Sequence, residues 1–457
     1  MGQNLAEQSA QLGQGLDEID NLIGRKFLLL QGPFGPFYLR LAEELQRFGA
    51  EVAKVNLTGA DVWGWNRRFP AVEFKEGPEA WSGWLAREME ERGITDVIMH
   101  SDCQAYHRMA VDVAGALGVR VFVTEQGYLR PHWITFERGG VNANSALLKE
   151  FEAIKTFPAL FASRKKIATP TGKHTRAYVI RTTVANLALY FHWHRFPKYK
   201  NAFSYAPWKQ CVGHIRRYVR NRMGFRKKSL AALNAVTNSG DPFYVALLQR
   251  PGDSQIYKHS RFKDLGAFCE ATIESFANCA PKNAKLVFKA HPLDHDLDDH
   301  RQRISDAAKQ YRVEDRVVYV DGGVLGQILP QSVGAITINS TAGLTAVEMG
   351  CPTIALGNAL YDGEGLTHQG PLDQFWNKPQ SPDPALVRRF IGYLLVKTQI
   401  NGDFSTDHGM RMAIAGIIGG LIYEGALDGQ VGECVELPLQ QANSSAPAHE
   451  AARRAAG

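Results

Sequence analysis

The sequence predicts an α/β protein built from two Rossmann-like lobes, and three observations carry that reading. Short β-branched apolar runs alternate with helical spacings in both halves, and several of the runs end in polar loops punctuated by glycine or proline. At 457 residues the chain also exceeds what one core ordinarily holds. A basic, aromatic stretch separates the halves. Hydrophobic residues make up 45% and charged residues 21%, the balance of a folded chain with disorder confined to its ends.

Residues 1–24 are polar and acidic, expected to be mobile and unlike a secretory signal. The first lobe is assigned to 25–150. Its first strand, Lys26-Phe27-Leu28-Leu29-Leu30, runs into Gln31-Gly32-Pro33-Phe34-Gly35, a tight turn or a seat for a phosphate or sugar before a helix that starts near Leu39. Strands over Glu51–Asn56, Asp96–His100 and Val119–Val123 alternate with helices near 81–92 and 106–117, a pitch that implies parallel βαβ units. The last of these strands leads into Thr124-Glu125-Gln126-Gly127-Tyr128-Leu129-Arg130-Pro131. At such a strand end Glu125 suits a base or nucleophile, with Arg130 offsetting an acidic substrate's charge. A Glu125–Arg130 ion pair closing the loop would use the same residues. Glu137 and Asn142 lie just beyond and are expected to line the same cleft.

Residues 151–235 form a basic aromatic helical segment. Trp193, Arg195, Lys198, Trp208, Arg216, Arg217 and Arg220 belong to a run with no acidic residue between Phe191 and Lys228. Such a surface suits anionic lipid head groups, with Trp and Tyr at the interface. A single-strand nucleic-acid groove uses the same ingredients, and a solvated basic face is the third reading. No run approaches the ~18 apolar residues of a spanning helix, so membrane contact would be peripheral.

The second lobe is assigned to 236–385. Tyr244–Leu248 is its first strand, followed by Gln249-Arg250-Pro251-Gly252-Asp253-Ser254-Gln255. Leu286–Phe288 is a buried strand that stops at His291-Pro292, where Pro292 keeps His291 out of the helical region and delivers its imidazole from a loop. Arg316–Val320 and Gly334–Ile338 are further strands, the latter ending in Asn339-Ser340-Thr341-Ala342-Gly343 at a helix start. Hydroxyls and free N–H groups there make an anion site, so Ser340 and Thr341 are assigned to phosphate. Cys351–Leu356 is the last strand. Helices over about 384–397 and 407–425 close the fold within a terminal unit at 386–430, and 431–457 reads as a disordered tail. The six cysteines show no CxxC pairing, so neither a zinc site nor a disulfide framework is indicated and a reducing compartment is expected. Asp298-Asp299 sits in a polar stretch and reads as a solvated face rather than a metal site.

Together, Glu125-Gln126-Gly127-Tyr128-Leu129-Arg130-Pro131, Gln249-Arg250-Pro251-Gly252-Asp253-Ser254-Gln255, Lys289-Ala290-His291-Pro292 and Asn339-Ser340-Thr341-Ala342-Gly343 resemble the capsular polysaccharide synthesis and export family. Within it the chain is similar to the single-module KpsS type rather than the duplicated KpsC type, since one set of motifs is present. The resemblance implies a GT-B-like fold, two Rossmann-like lobes facing across a cleft, with the basic aromatic helices as a membrane-contact insertion. It implies a retaining β-Kdo transferase that moves Kdo from CMP-Kdo to an anionic, phosphatidylglycerol-type lipid, starting the Kdo linker of a bacterial capsular polysaccharide. The expected location is cytoplasmic and peripheral on the inner membrane, beside other capsule assembly and export proteins and without nucleic acid.

By the same resemblance Glu125 is the catalytic carboxylate; relatives often carry Glu-Asp-Gly, and Gln126 leaves Glu125 the only acid in this motif. His291 with Pro292 contacts CMP, Ser340 and Thr341 hold its phosphate, and Asn339, Gln249 and Asp253 complete the donor set. Arg130, Arg250 and Gly127 are assigned to the Kdo carboxylate and the acceptor. The nucleotide already carries a phosphate leaving group, so no metal or other cofactor is expected. The alternatives are a non-catalytic capsule export or binding factor and a GT-B enzyme with a different sugar-nucleotide donor.

Overall fold

A computed structural model of the chain describes residues 22–65, 69–172, 174–200 and 207–428. The first lobe grows from β1 (Lys26–Leu29), where Phe27 and Leu29 pack on one face and Leu28 on the other. Both faces are apolar because helices cover both, as is usual for parallel sheets. In chain order follow α1 (Phe37–Arg47), β2 (Glu51–Asn56), α2 (Gly59–Trp63), β3 (Ala71–Glu73), α3 (Pro78–Arg92), β4 (Asp96–His100), α4 (Ala105–Ala116), β5 (Arg120–Gln126) and β6 (Trp133–Arg138). Three helices then bridge to the second lobe: α5 (His174–Phe191), α6 (Pro207–Arg222) and α7 (Phe225–Asn238). That lobe comprises β7 (Phe243–Leu247), α8 (Ser254–His259), α9 (Leu265–Cys279), β8 (Lys285–Lys289), α10 (His300–Gln310), β9 (Val317–Val320), β10 (Gly334–Thr337), α11 (Thr341–Glu348) and β11 (Thr353–Ala355). The chain closes with α12 (Pro384–Lys397), β12 (Gln399–Asn401) and α13 (Asp407–Asp428).

Among the described residues the second sheet runs β11-β10-β7-β8-β9 and is parallel throughout. The first sheet runs β12-β6-β5-β4-β1-β2-β3, and here the all-parallel expectation is corrected. Strand β6 pairs antiparallel with β5, Glu125 opposite Thr135 and Gln126 opposite Ile134, and β12 pairs antiparallel with β6. The Glu-Gln-Gly motif therefore begins inside a strand and turns a hairpin.

Two packing features set the geometry of the site. Helix α13 returns to the first lobe, where Met410, Ala413, Ile414, Ile417, Ile418 and Leu421 cover the Phe27 and Leu29 face of β1 together with α1. Arg25 ties this closure, donating to the Leu421 carbonyl at 2.9 Å and pairing with the fully buried Asp96 at 2.6 Å. The sequence-assigned boundary at 385/386 cuts α12 near its start, and α12 is in fact the joint between lobes. Its Val387, Phe390, Ile391 and Leu394 share one core with Tyr128 and Leu129 of the hairpin and with Leu344 and Val347 of α11.

The segment assigned to 151–235 is not one unit. Helix α5 packs on α2 of the first lobe, while α6 and α7 pack against the second. Of the expected mobile N-terminus, 1–21 lie outside the described residues, and Leu22 belongs to the first lobe's core. The tail at 431–457 also lies outside them.

Candidate functional site in the cleft between the lobes

A cleft of about 600 Å³ opens between the lobes. Its first-lobe wall includes the Gln31–Gly35 loop, Tyr38, Lys54, Asp61, His100, Ser101, Glu125 and Gln126; the second lobe contributes Arg250, Pro251, Gly252, Asp253 and Lys258. The Gln31–Gly35 loop, read from sequence as a turn or a ligand seat, thus borders the cleft.

Glu125 is half-buried at the end of β5. Its carboxylate accepts from the Gln126 N–H at 2.9 Å. Burial nonetheless raises its pKa above the usual carboxylate value, against the opposing pull of that bond and of the Arg130 charge. Asp253 reaches the same cleft from the other lobe, and burial raises it too, with the Glu125 charge adding to the rise. The Glu125 charge thus acts on a carboxyl of the opposite lobe, an arrangement that suits acid–base chemistry.

The hairpin behind Glu125 is rigid for identifiable reasons. A Cβ at Gly127 would run into the Trp133 carbonyl, so only glycine lets the two strands approach there. Tyr128 donates to Glu137 at 2.6 Å and accepts the Asn142 N–H at 2.6 Å, and Ser145 closes the other side of the Glu137 carboxyl. Glu137, expected on the cleft wall, is instead buried behind it. Burial lifts its pKa to about 7, although its hydroxyl donors pull downward.

In the second lobe His291 follows β8. Burial depresses its pKa to about 4, with the Arg130 and Arg250 charges acting in the same direction. Glu125's own loop therefore approaches His291 through Arg130. The Leu293 N–H donates to Nδ1 of His291 at 3.0 Å, which puts the imidazole proton on Nε2. His291 is a neutral ring presenting one N–H donor.

Other donor residues sort differently from expectation. Gln249 and Asn339 bond each other, Nε2 to Oδ1 at 2.8 Å, and Asn339 also donates to the Gln255 carbonyl at 3.1 Å. Their amides fasten the two loops together rather than standing free. Ser340 caps α11 by accepting the Ala342 N–H at 3.2 Å, and Asp253 caps α8 through the Gln255 N–H at 3.0 Å. Thr341 stands half-buried as the first residue of α11. His291, Ser340 and Thr341 are not among the residues lining the large cleft. A second cavity of about 360 Å³ opens at the carboxyl ends of β8 and β9, rimmed by Pro292, Lys289, Asp321, Gly322 and Gly323, with His214 and Arg217 of α6 above it. Lys289 is only 7% exposed, and burial lowers its pKa.

The expected membrane residues divide. Trp193 and Trp208 are exposed at 70% and 54%, and Lys198 is exposed as well. Arg195 instead pairs with Glu73 of the first lobe. Arg217 and Arg220 face inward and pair with Asp321, and Arg216 and Arg220 pair with Asp296. Two buried carboxylates need cations, and these arginines supply them.

Sequence reasoning missed Lys54, which lies 3% exposed on the cleft floor, donates to the Leu30 and Val55 carbonyls and stands 3.7 Å from Asp61. A lysine inside the apolar run Glu51–Asn56 was the available signal. Tyr199, which stacks on Tyr106, and Arg181, which donates to the Ser405 carbonyl, were missed too because both come from the bridging segment.

The family described as capsule polysaccharide biosynthesis protein matches residues 95–405. The chain is 35% identical over 381 residues to "Capsule polysaccharide export protein KpsS" of Escherichia coli, covering 83% of this chain and 97% of that protein. It is 32% identical over 403 residues to "Capsule polysaccharide modification protein LipB" of Neisseria meningitidis serogroup A, covering 85% and 94%. Among solved structures, "Thermosulfurimonas dismutans KpsC, beta Kdo 2,7 transferase" is 15% identical and covers 87% of this chain and 100% of that one, with a TM-score of 0.45.

Proposed function

Because the chain belongs to the capsule polysaccharide biosynthesis family, we propose that it is a retaining β-Kdo transferase that moves Kdo from CMP-Kdo to a phosphatidylglycerol-type lipid. The observation that carries this reading is the shared cleft, in which Glu125 of one lobe faces Arg250 and Asp253 of the other. Glu125 attacks the anomeric carbon as the bond to the CMP phosphate breaks. A glycosyl ester forms on Glu125, and an acceptor hydroxyl then displaces it, so that two inversions give retention. In the second step Asp253, its pKa raised by burial and by Glu125, takes the acceptor proton.

The leaving phosphate is stabilised by the Nε2–H of His291 and the N-terminus of α11, without a metal. Arg130 and Arg250 counter the Kdo carboxylate. Pro292 rims the smaller cavity, which has room for the nucleotide base, with Lys289 as a donor toward it. The acceptor enters over the first-lobe wall beside Lys54 and Tyr199, from an enzyme held peripherally on the cytoplasmic face of the inner membrane, where other capsule assembly proteins would meet it.

The test is release of CMP from CMP-Kdo in the presence of a phosphatidylglycerol acceptor. Glu125→Gln is expected to lower the rate at least about a thousandfold while still binding CMP. A wild-type protein that releases no CMP would act as a binding or export factor. Thermal stabilisation by UDP or GDP above that by CMP would point to another donor.

A further inference from the structure

Helix α6 has two faces with separate partners. Gln210, Gly213, His214, Arg217, Arg220 and Asn221 recur at helical spacing and turn inward. Arg217 donates to the Pro292 carbonyl at 2.8 Å, the Asp294 carbonyl at 2.7 Å and the His291 carbonyl at 3.2 Å, so one guanidinium holds the whole His-Pro loop. Gln210 accepts from Arg250 at 2.5 Å, which brings the other cleft loop onto the same helix. Gly213 lies so close to the His295 carbonyl that no side chain fits between.

The opposite face is an apolar stripe left exposed among the described residues. Trp208, Val212, Ile215 and Val219 follow the same spacing and are 54%, 54%, 64% and 48% exposed, and Met223 beyond the helix is 82% exposed. Lys209 and Arg222 of the same helix lie beside it, and Lys227 and Lys228 follow in α7, all exposed. No Asp or Glu occurs between Glu152 and Asp241. An apolar stripe with cations beside it and no acidic residue in its own segment complements an anionic bilayer surface, where the aliphatic and indole groups enter the interface and the cations meet phosphates.

We propose that α6 seats the protein on an anionic bilayer by this stripe and, through Arg217 and Gln210, transmits that seating to the two loops that hold the donor nucleotide. Fixing the helix fixes the carbonyls of residues 291–294 and the Arg250 side chain, so nucleotide binds loops that are already ordered. The coupling is reciprocal: whatever factor the bilayer adds to nucleotide affinity, nucleotide adds to bilayer affinity. This inference rests on the nucleotide-donor reading above, and its test separates the two.

The full chain is mixed with vesicles of phosphatidylglycerol and phosphatidylcholine, or of phosphatidylcholine alone, and co-sedimentation and CMP affinity are measured. The wild type is expected to sediment with the anionic vesicles only, and those vesicles should tighten CMP binding about fivefold or more. Val212→Glu with Ile215→Glu is expected to lower vesicle binding at least about tenfold and abolish the gain in CMP affinity, with solution CMP affinity and melting temperature unchanged. The milder pair Val212→Ser and Ile215→Ser replaces it should the carboxylates disturb folding. Unchanged sedimentation of the variant, CMP affinity indifferent to vesicles, or a monomer–dimer equilibrium that the variant abolishes would each overturn the proposal, the last by making a second copy the occupant. A wild type that binds vesicles but no CMP would overturn the donor reading while leaving the bilayer seat standing.

Discussion

At the scale of single residues, the site combines groups whose charge states are set by burial. His291 is already neutral well above its pKa of about 4, so affinity for a CMP diester such as CMP-Kdo, whose phosphate carries one charge throughout, is expected to stay flat between about pH 5.5 and 7.5. A break near pH 6.5 in the affinity for that diester would mean that an imidazolium does the binding. Glu137 behaves oppositely. Its folded pKa of about 7 lies above the unfolded value, so it contributes stability that is complete below about pH 4.5 and is lost as pH rises through 7. Glu137→Gln removes that loss, and its melting temperature relative to wild type is expected to rise between pH 5 and pH 8.5; a constant difference would contradict the burial of an ionising carboxyl there. The positions of Glu125 at the end of β5 and of His291 after β8 were legible in the sequence because each follows a short apolar run that stops at polar residues. The spent amides of Gln249 and Asn339 were not, since only tertiary contact shows that two polar side chains from distant loops satisfy each other.

Among elements, α12 is the strut that spaces the Glu125 hairpin from the Ser340 end of α11. Phe390, 1% exposed, sits at its centre. Phe390→Ala is expected to cost about 3–5 kcal/mol and, because both loops lean on that helix, to lower the transfer rate more than CMP affinity. Urea melts, the rate of CMP release from CMP-Kdo and CMP titrations measure the three, and a stability loss with an unchanged rate would remove α12 from the catalytic geometry. Parallel strands such as Glu51–Asn56 and Asp96–His100 were readable to the residue, because burial on both faces leaves a largely apolar run, interrupted in the first only by Lys54, between polar ends. Strands β3 and β12 were not, at three residues each. Strand β6 hid behind Arg130-Pro131-His132, which reads as a loop on composition alone, and with it went the mixed character of the first sheet.

For the whole molecule, the closing helices determine how the lobes are joined. Ile417 of α13 is fully buried against the first lobe. Ile417→Asp places an unpaired carboxylate in that core and is expected to destabilise the protein by at least about 3 kcal/mol, read from urea unfolding. A variant within about 0.5 kcal/mol of wild type would mean that α13 is not part of the first lobe's core. Two α/β lobes and a bridging basic segment were legible from alternation and composition. The split of that segment between the lobes was not, because its inward arginines find their carboxylates only in three dimensions.

The return of β12 and α13 also bears on how the chain is made. The face of β1 carrying Phe27 and Leu29 leaves the ribosome early, with α1 close behind, yet the α13 half of its cover is translated only after the entire second lobe. At ordinary elongation rates that interval is roughly 20–75 s, long enough for a half-covered apolar sheet to engage a chaperone or a neighbouring nascent chain. Synthesis of this protein therefore ends with the folding of its beginning, and stalled or prematurely terminated products are expected to be targets for holdases and proteases.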